Sequence, residues 1–261
     1  MHTDRIIVAS AIVAPALLAG GCVGKVTPEE RAARVAQLRE MIRTRALPEA
    51  PRGIIEHGFS MYRGPLGPLK NDPNISLSRV RIGELAVPTG RLIACDPSFT
   101  IGEAPFVREA PTGRFPVELT LMKFHKNDDE RVALAAVLFR EAPVHRWEIA
   151  VTTHTNPAKP LNCAFGVDSA LACFLDEQTS SAFDHSLSKG DGWDRLTHEL
   201  QKQHAYTRDF CLFEVDPSTR LNVAVFSSGI GDGAYESCWA LDEHDQPIAL
   251  VTHFGLLGED E

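Results

Sequence analysis

Phe115-Pro-Val-Glu-Leu-Thr-Leu-Met-Lys-Phe124 decides the fold class. Val117, Leu119 and Leu121 alternate with Glu118, Thr120 and Met122. A period of two marks a half-buried strand, because successive side chains of an extended chain point to opposite faces. The pattern returns at Arg146-Trp-Glu-Ile-Ala-Val-Thr152, where Trp147, Ile149 and Val151 oppose Glu148, Ala150 and Thr152. Further outward, strands are expected at 79–86, 90–95, 132–140, 166–175, 211–215, 222–227, 234–242 and 248–254, with helices at about 176–183 and 193–203. Strands that follow one another without regular intervening helices predict an α+β chain. Its body should be mainly antiparallel β-sheet or sandwich-like, with a few peripheral helices.

Ahead of the strands, Thr27-Pro-Glu-Glu30 is a helix start: Thr27 caps, Pro28 suits the first turn and Glu30 completes a capping box. The helix should run to about Ala46, with Val35, Leu38, Met41 and Ile42 on one face and Arg31, Arg34, Arg39, Arg43 and Arg45 elsewhere. So narrow an apolar stripe is expected to pack on the domain rather than lie on anionic lipid. Residues 48–73 are rich in Pro and Gly and read as irregular chain.

At the N-terminus Arg5 precedes an uncharged run, residues 6–19, and small residues lead into Leu18-Ala-Gly-Gly-Cys22. That order reads as a secretory signal, and the run is shorter than the roughly 20 apolar residues a membrane-spanning helix needs. The cysteine at the cut resembles a bacterial lipobox, which implies lipidation of Cys22. Three regions follow: a signal over 1–21, a helix and linker over 22–74, and one β-rich domain over 75–261. The expected location is the cell envelope, lipid-anchored and extracytoplasmic. Were the segment retained as a helix, the location would be cytoplasmic.

Composition narrows the partners. With 261 residues, 44% hydrophobic and 23% charged, the chain has ample material for a core. The formal charge is −9, and beyond Pro51 the body carries 19 basic against 30 acidic residues, a net of −11 without a basic cluster. Phosphate binding needs clustered Lys and Arg, so nucleic acid is excluded as the expected partner. With Cys22 lipidated, Cys95, Cys163, Cys173, Cys211 and Cys238 remain, at spacings that match neither a zinc framework nor a Cys-x-x-Cys pair. Cys163 and Cys173 lie closest in sequence and are candidates to bridge. The alternative is that the cysteines are small buried hydrophobes.

Two stretches concentrate chemistry. In Ser228-Gly-Ile-Gly-Asp-Gly-Ala-Tyr235 the glycines follow an apolar strand, but Tyr235, Ser237, Trp239 and Leu241 alternate like another strand. A nucleotide loop would need a helix there, so a strand–turn–strand with Asp232 at its tip is expected instead. In Gly166-Val-Asp-Ser-Ala-Leu-Ala-Cys-Phe-Leu-Asp176, a single strand would put Asp168 and Asp176 on one face beside Ala170, Ala172 and Phe174. Should Glu118 and Glu148 share that face, the carboxylates would form an acidic cleft for acid/base or metal chemistry. The bland alternative is that they are outward residues of half-exposed strands. No Gly-x-Ser-x-Gly elbow and no His-Glu-x-x-His occurs.

Several motifs occur in order: Gly90-Arg-Leu-Ile-Ala-Cys-Asp-Pro97, Gly113-Arg-Phe-Pro-Val-Glu-Leu119, Val144-His-Arg-Trp-Glu-Ile-Ala150, Gly166-Val-Asp168, Phe174-Leu-Asp176 and Ser228 to Tyr235. Over roughly residues 75–257 the chain resembles the bacterial domain-of-unknown-function family 4241. The resemblance implies no activity or cofactor. It points to Asp96, Glu118, Trp147, Glu148, Asp168, Asp176, Asp232 and Tyr235 as positions of interest. Two positions depart from the family pattern: Cys238 stands where an aromatic is usual, and His253 where an Asp is usual.

The expected function is a membrane-tethered extracytoplasmic binding domain without a cofactor, of inhibitor or immunity type, that recognises a partner protein. The alternative is a carboxylate- or metal-dependent hydrolase with Glu118, Glu148, Asp168 and Asp232 as catalytic candidates. Asp96, Trp147, Asp176 and Tyr235 are the ligand-binding candidates.

Overall fold

The computed structural model describes residues 26–47, 67–68, 72–127, 129–161 and 163–257. The Cys22 motif and most of the Pro/Gly-rich segment lie outside them. In chain order the elements are α1 (Pro28–Arg43), β1 (Ile75–Val87), β2 (Leu92–Cys95), β3 (Gly113–Phe124), β4 (Asp129–Leu138), β5 (Arg146–Ile149), β6 (Phe165–Val167), β7 (Leu171–Asp176), α2 (Glu177–Ser188), α3 (Gly192–Gln201), β8 (Phe210–Asp216), β9 (Leu221–Ser227), β10 (Gly233–Leu241) and β11 (Pro247–His253).

The strands form two antiparallel sheets. The larger runs β1-β3-β4-β11-β10-β5, with β6 paired to the first half of β10; the smaller runs β2-β7-β9-β8. Alternation places Val117, Leu119 and Leu121 of β3 on the inner face, where they meet Ala172 and Phe174 of β7 and Ala224 and Phe226 of β9. Trp239 sits in the same core, edge-on to Phe106 and stacked on Phe139. The molecule is therefore the β-rich, sandwich-like α+β fold expected from the strand pattern.

The smaller sheet differs from expectation in having both faces buried. Its outer face, with Ile93, Cys95, Cys173, Leu175, Val223 and Val225, is covered by Phe183, Leu187, Leu196 and Leu200 of α2 and α3. The segment read as one strand over 166–175 is also two strands in different sheets. It breaks at Asp168-Ser169-Ala170, where Ala170 takes a left-handed φ of 56°. The chain must change direction there because β6 pairs with β10 while β7 pairs with β2 and β9.

At the N-terminal side α1 starts with the expected capping box: Thr27 Oγ1 accepts from Glu30 N–H, and Glu30 accepts from Thr27 N–H. It stops at Arg43, because Arg45 turns left-handed at φ 55° and Ala46 N–H bonds back to Met41 O. Its narrow stripe packs on the sandwich, with Leu38 against Val107, Ile149 and Val151.

Candidate functional site

The C-terminal ends of β2, β6 and β9 and the N-terminal ends of β7 and β10 meet at one end of the sandwich. The loops that join them form a rim, and two carboxylates build it. Asp96 Oδ1 accepts from Ser98 N–H at 2.7 Å and from Ser169 Oγ at 2.8 Å. Its Oδ2 accepts from the N–H groups of Asp168 and Ser169, both at 2.8 Å. Burial pushes this carboxyl up, but the four donors outweigh it and hold Asp96 below its ordinary value. On the other side of the same turn, Asp232 Oδ1 accepts from Ala170 N–H at 3.0 Å.

The glycine loop is held from beneath. Tyr235 Oη lies 2.7 Å from Gly231 O and 3.0 Å from Ser228 O, and its single proton serves both carbonyls. Ser228 Oγ also donates to Gly231 O at 2.9 Å. Gly229 is required twice over: its φ is 59°, and a Cβ there would stand 2.7 Å from Phe254 Cβ. The strand–turn–strand reading of this stretch holds. The turn, however, carries the chain from the smaller sheet to the larger one rather than closing a hairpin within a sheet.

The rim presents large apolar side chains beside its acidic ones. Phe99, Ile101 and Ile230 are 56%, 72% and 75% exposed, large for side chains of their kind. Asp168 is exposed as well. Beside it lies a shallow hollow of about 260 Å³, lined by Arg131, Ser169, Ala170, Leu171, Asp209 and Ile230 among others. Four of the residues singled out from sequence (Asp96, Asp168, Asp232 and Tyr235) thus converge here.

The remaining four do not. Asp176 is fully buried at the start of α2, where it caps Gln178 N–H and accepts from Thr89 N–H and Oγ1. Trp147 packs in the outer-face cluster of the larger sheet, opposite Ala240. Glu118 pairs with Arg81 across β1 and β3. Glu148, 1% exposed, takes a two-pronged bond from Arg108, at 2.7 and 2.8 Å, and another from Arg146 at 3.0 Å. The shared carboxylate face considered from sequence is corrected accordingly. The row Glu118–Ala136–Val251–Cys238–Ile149 puts Glu118 on the face opposite Glu148, with three strands between them. Asp168 also lies in a turn, off the strand that ends at Asp176. Among the described residues no three His, Cys, Asp or Glu side chains gather as a metal site would need.

Two features escaped sequence reasoning. A groove of about 980 Å³ runs between α1 and the 102–109 loop, with Arg31, Glu103 and His154 on its walls. It depends on where α1 docks, which no local pattern encodes. Glu236 and His253 face each other across β10 and β11. Burial raises the Glu236 carboxyl and lowers the His253 imidazole, since desolvation disfavours the charged form of each. The departure at His253 was the one signal for this pair.

A family model described as "Protein of unknown function (DUF4241)" matches residues 85–252, from within β1 to within β11. The match covers well over half of the chain and the whole rim, and leaves α1 outside. No curated protein and no solved structure matches the chain.

Proposed function

The chain belongs to the DUF4241 family of proteins of unknown function, and from that premise we propose that it is a binding domain, tethered to the membrane outside the cytoplasm, that recognises a partner protein through its rim. The observation that carries this reading is the division of labour at the rim. Asp96 gives both carboxylate oxygens to three backbone N–H groups and a hydroxyl, and Asp232 gives one to a fourth backbone N–H. Carboxylates engaged in this way hold loops in place, whereas an acid/base catalyst must reach a substrate proton. The loops they hold display Phe99, Ile101 and Ile230 to solvent. Exposed apolar side chains on a fixed scaffold, with a shallow rather than deep hollow beside Ile230, support a protein–protein contact over a small-molecule cleft. The net charge of −9 agrees with a partner that carries a basic face around an apolar centre.

Isolation of the chain from detergent-solubilised envelopes tests the reading. Wild type should retain a stoichiometric partner that the F99S/I101S/I230S variant loses while keeping the wild-type melting temperature. Equal recovery with both chains would remove the rim from recognition.

A further inference from the structure

Cys95 of β2 and Cys173 of β7 are direct antiparallel partners, and their Sγ atoms lie 3.6 Å apart. Facing residues of such a ladder have Cα atoms about 4.5 or 5.5 Å apart, and both values fall within the roughly 4.4–6.8 Å that a disulfide requires. The register therefore suits a disulfide, for which the two free sulfurs must close from 3.6 Å to about 2.05 Å. Among the described residues no other two cysteines face each other in a ladder; Cys238 lies between Val251 and Ile149. Cys211 and Cys173 both face Val225, from opposite sides, so a whole strand stands between them. Cys163 packs near Leu38 and Met41 of α1, in a different cluster from Cys173. The Cys163–Cys173 bridge considered from sequence is therefore corrected: proximity in sequence is overridden by the split of this segment between two sheets.

We propose that Cys95 and Cys173 are a cross-strand pair that closes to a disulfide when the chain folds in the presence of a disulfide oxidant, pinning the end of β2, and with it Asp96, beneath the rim. In cells this rests on the extracytoplasmic placement proposed above. The oxidant is itself a disulfide, of an oxidoreductase or of glutathione. One cysteine thiolate attacks it, forming a mixed disulfide and releasing one oxidant thiol. The second cysteine, having lost its proton, displaces the other oxidant sulfur. One S–S bond forms in the protein and one breaks in the oxidant, which accepts two electrons and two protons and leaves as two thiols.

The step belongs to folding. Both cysteines are buried beneath α2 and α3, at 1% and 0% exposure. The neighbouring Cys173 thiol and burial together hold Cys95 well above the ordinary thiol value. Once the helices have docked, neither an oxidant nor a thiolate is available.

The test is to refold the full chain from the reduced, denatured state with glutathione and its disulfide, alkylate free thiols, and map the peptides. The expected result is one linked pair of peptides carrying Cys95 and Cys173, about 2 Da below the dithiol form. Reduction should then lower the melting temperature by about 10 °C. A C163A/C211A variant should keep the same linkage, and a C95A/C173A variant should melt at the same temperature with or without reductant. Full alkylation of Cys95 and Cys173 in a chain refolded to its native spectrum, or linkage of Cys173 to Cys163 or Cys211, would overturn the inference. Alkylation in intact cells addresses placement separately. A pair that bridges on refolding but stays reduced in cells would overturn the extracytoplasmic reading.

Discussion

Asp96 shows how one side chain shapes the rim. It is 1% exposed and satisfies four donors from two loops. Asp96→Ala would strand those donors, and leaving buried donors unpaired is among the costlier single changes. A loss of about 2–4 kcal/mol in urea unfolding is expected. The acid response follows from the same bonds. Because the folded carboxyl titrates below its unfolded value of 3.8, its contribution is complete above that value and fades as pH falls through the folded pKa. Wild type should therefore lose stability more steeply than Asp96→Ala below about pH 4, as read by melting temperature against pH. Asp96, Asp168, Asp232 and Tyr235 were all legible in the sequence as residues that matter. Their roles were not, because a carboxylate in a strand-end motif binds a ligand or a backbone amide according to which loops fold beside it. That depends on contacts 62 to 73 residues away in the chain.

Among the elements, β5 and α1 are joined by charge as well as by packing. Arg108 and Arg146 converge on Glu148, Arg146 bonds Asp245 at 2.9 Å, and Asp245 accepts from Arg45, just past the end of α1, at 2.8 Å. Glu148→Gln leaves two largely buried guanidinium groups facing a neutral amide and should cost about 3–5 kcal/mol. Arg45 is half exposed, so Arg45→Ala should cost below about 1 kcal/mol in the same unfolding assay. Leu38→Ala empties the centre of the α1 contact; a loss of about 2–4 kcal/mol and faster hydrogen exchange along α1 are expected. Strand positions were legible because several strands, β3 and β5 among them, alternate cleanly, and others such as β2 and β9 are short apolar runs. The break at 168–170 was missed because Ala170 looks like a strand residue. Its left-handed turn is imposed by the pairing of β6 and β7 with different partners. The face shared by Ala172 and Phe174, expected to carry an acidic cleft, is the inner face of the sandwich, since alternation fixes two faces but not what covers each.

For the whole molecule, the family match spans the sandwich and stops short of α1 and the Cys22 motif. Attachment and recognition are thus proposed to reside in separate parts of the chain. Metabolic labelling with a fatty-acid analogue should mark wild type in the membrane fraction and leave Cys22→Ser unlabelled and soluble. Label that persists without Cys22 would contradict the tether. The fold class was readable from alternation alone, whereas the rim emerges only when loops from both sheets are brought to one end. Recognition by that rim is the central claim, and photo-crosslinking in intact cells tests it most directly. A photoreactive residue at position 230 is compared with one at 218, in the exposed turn between β8 and β9 at the opposite end of β9. The account predicts a discrete protein adduct from position 230 and none from 218. Adducts of equal yield from both positions, or from 218 alone, would contradict it.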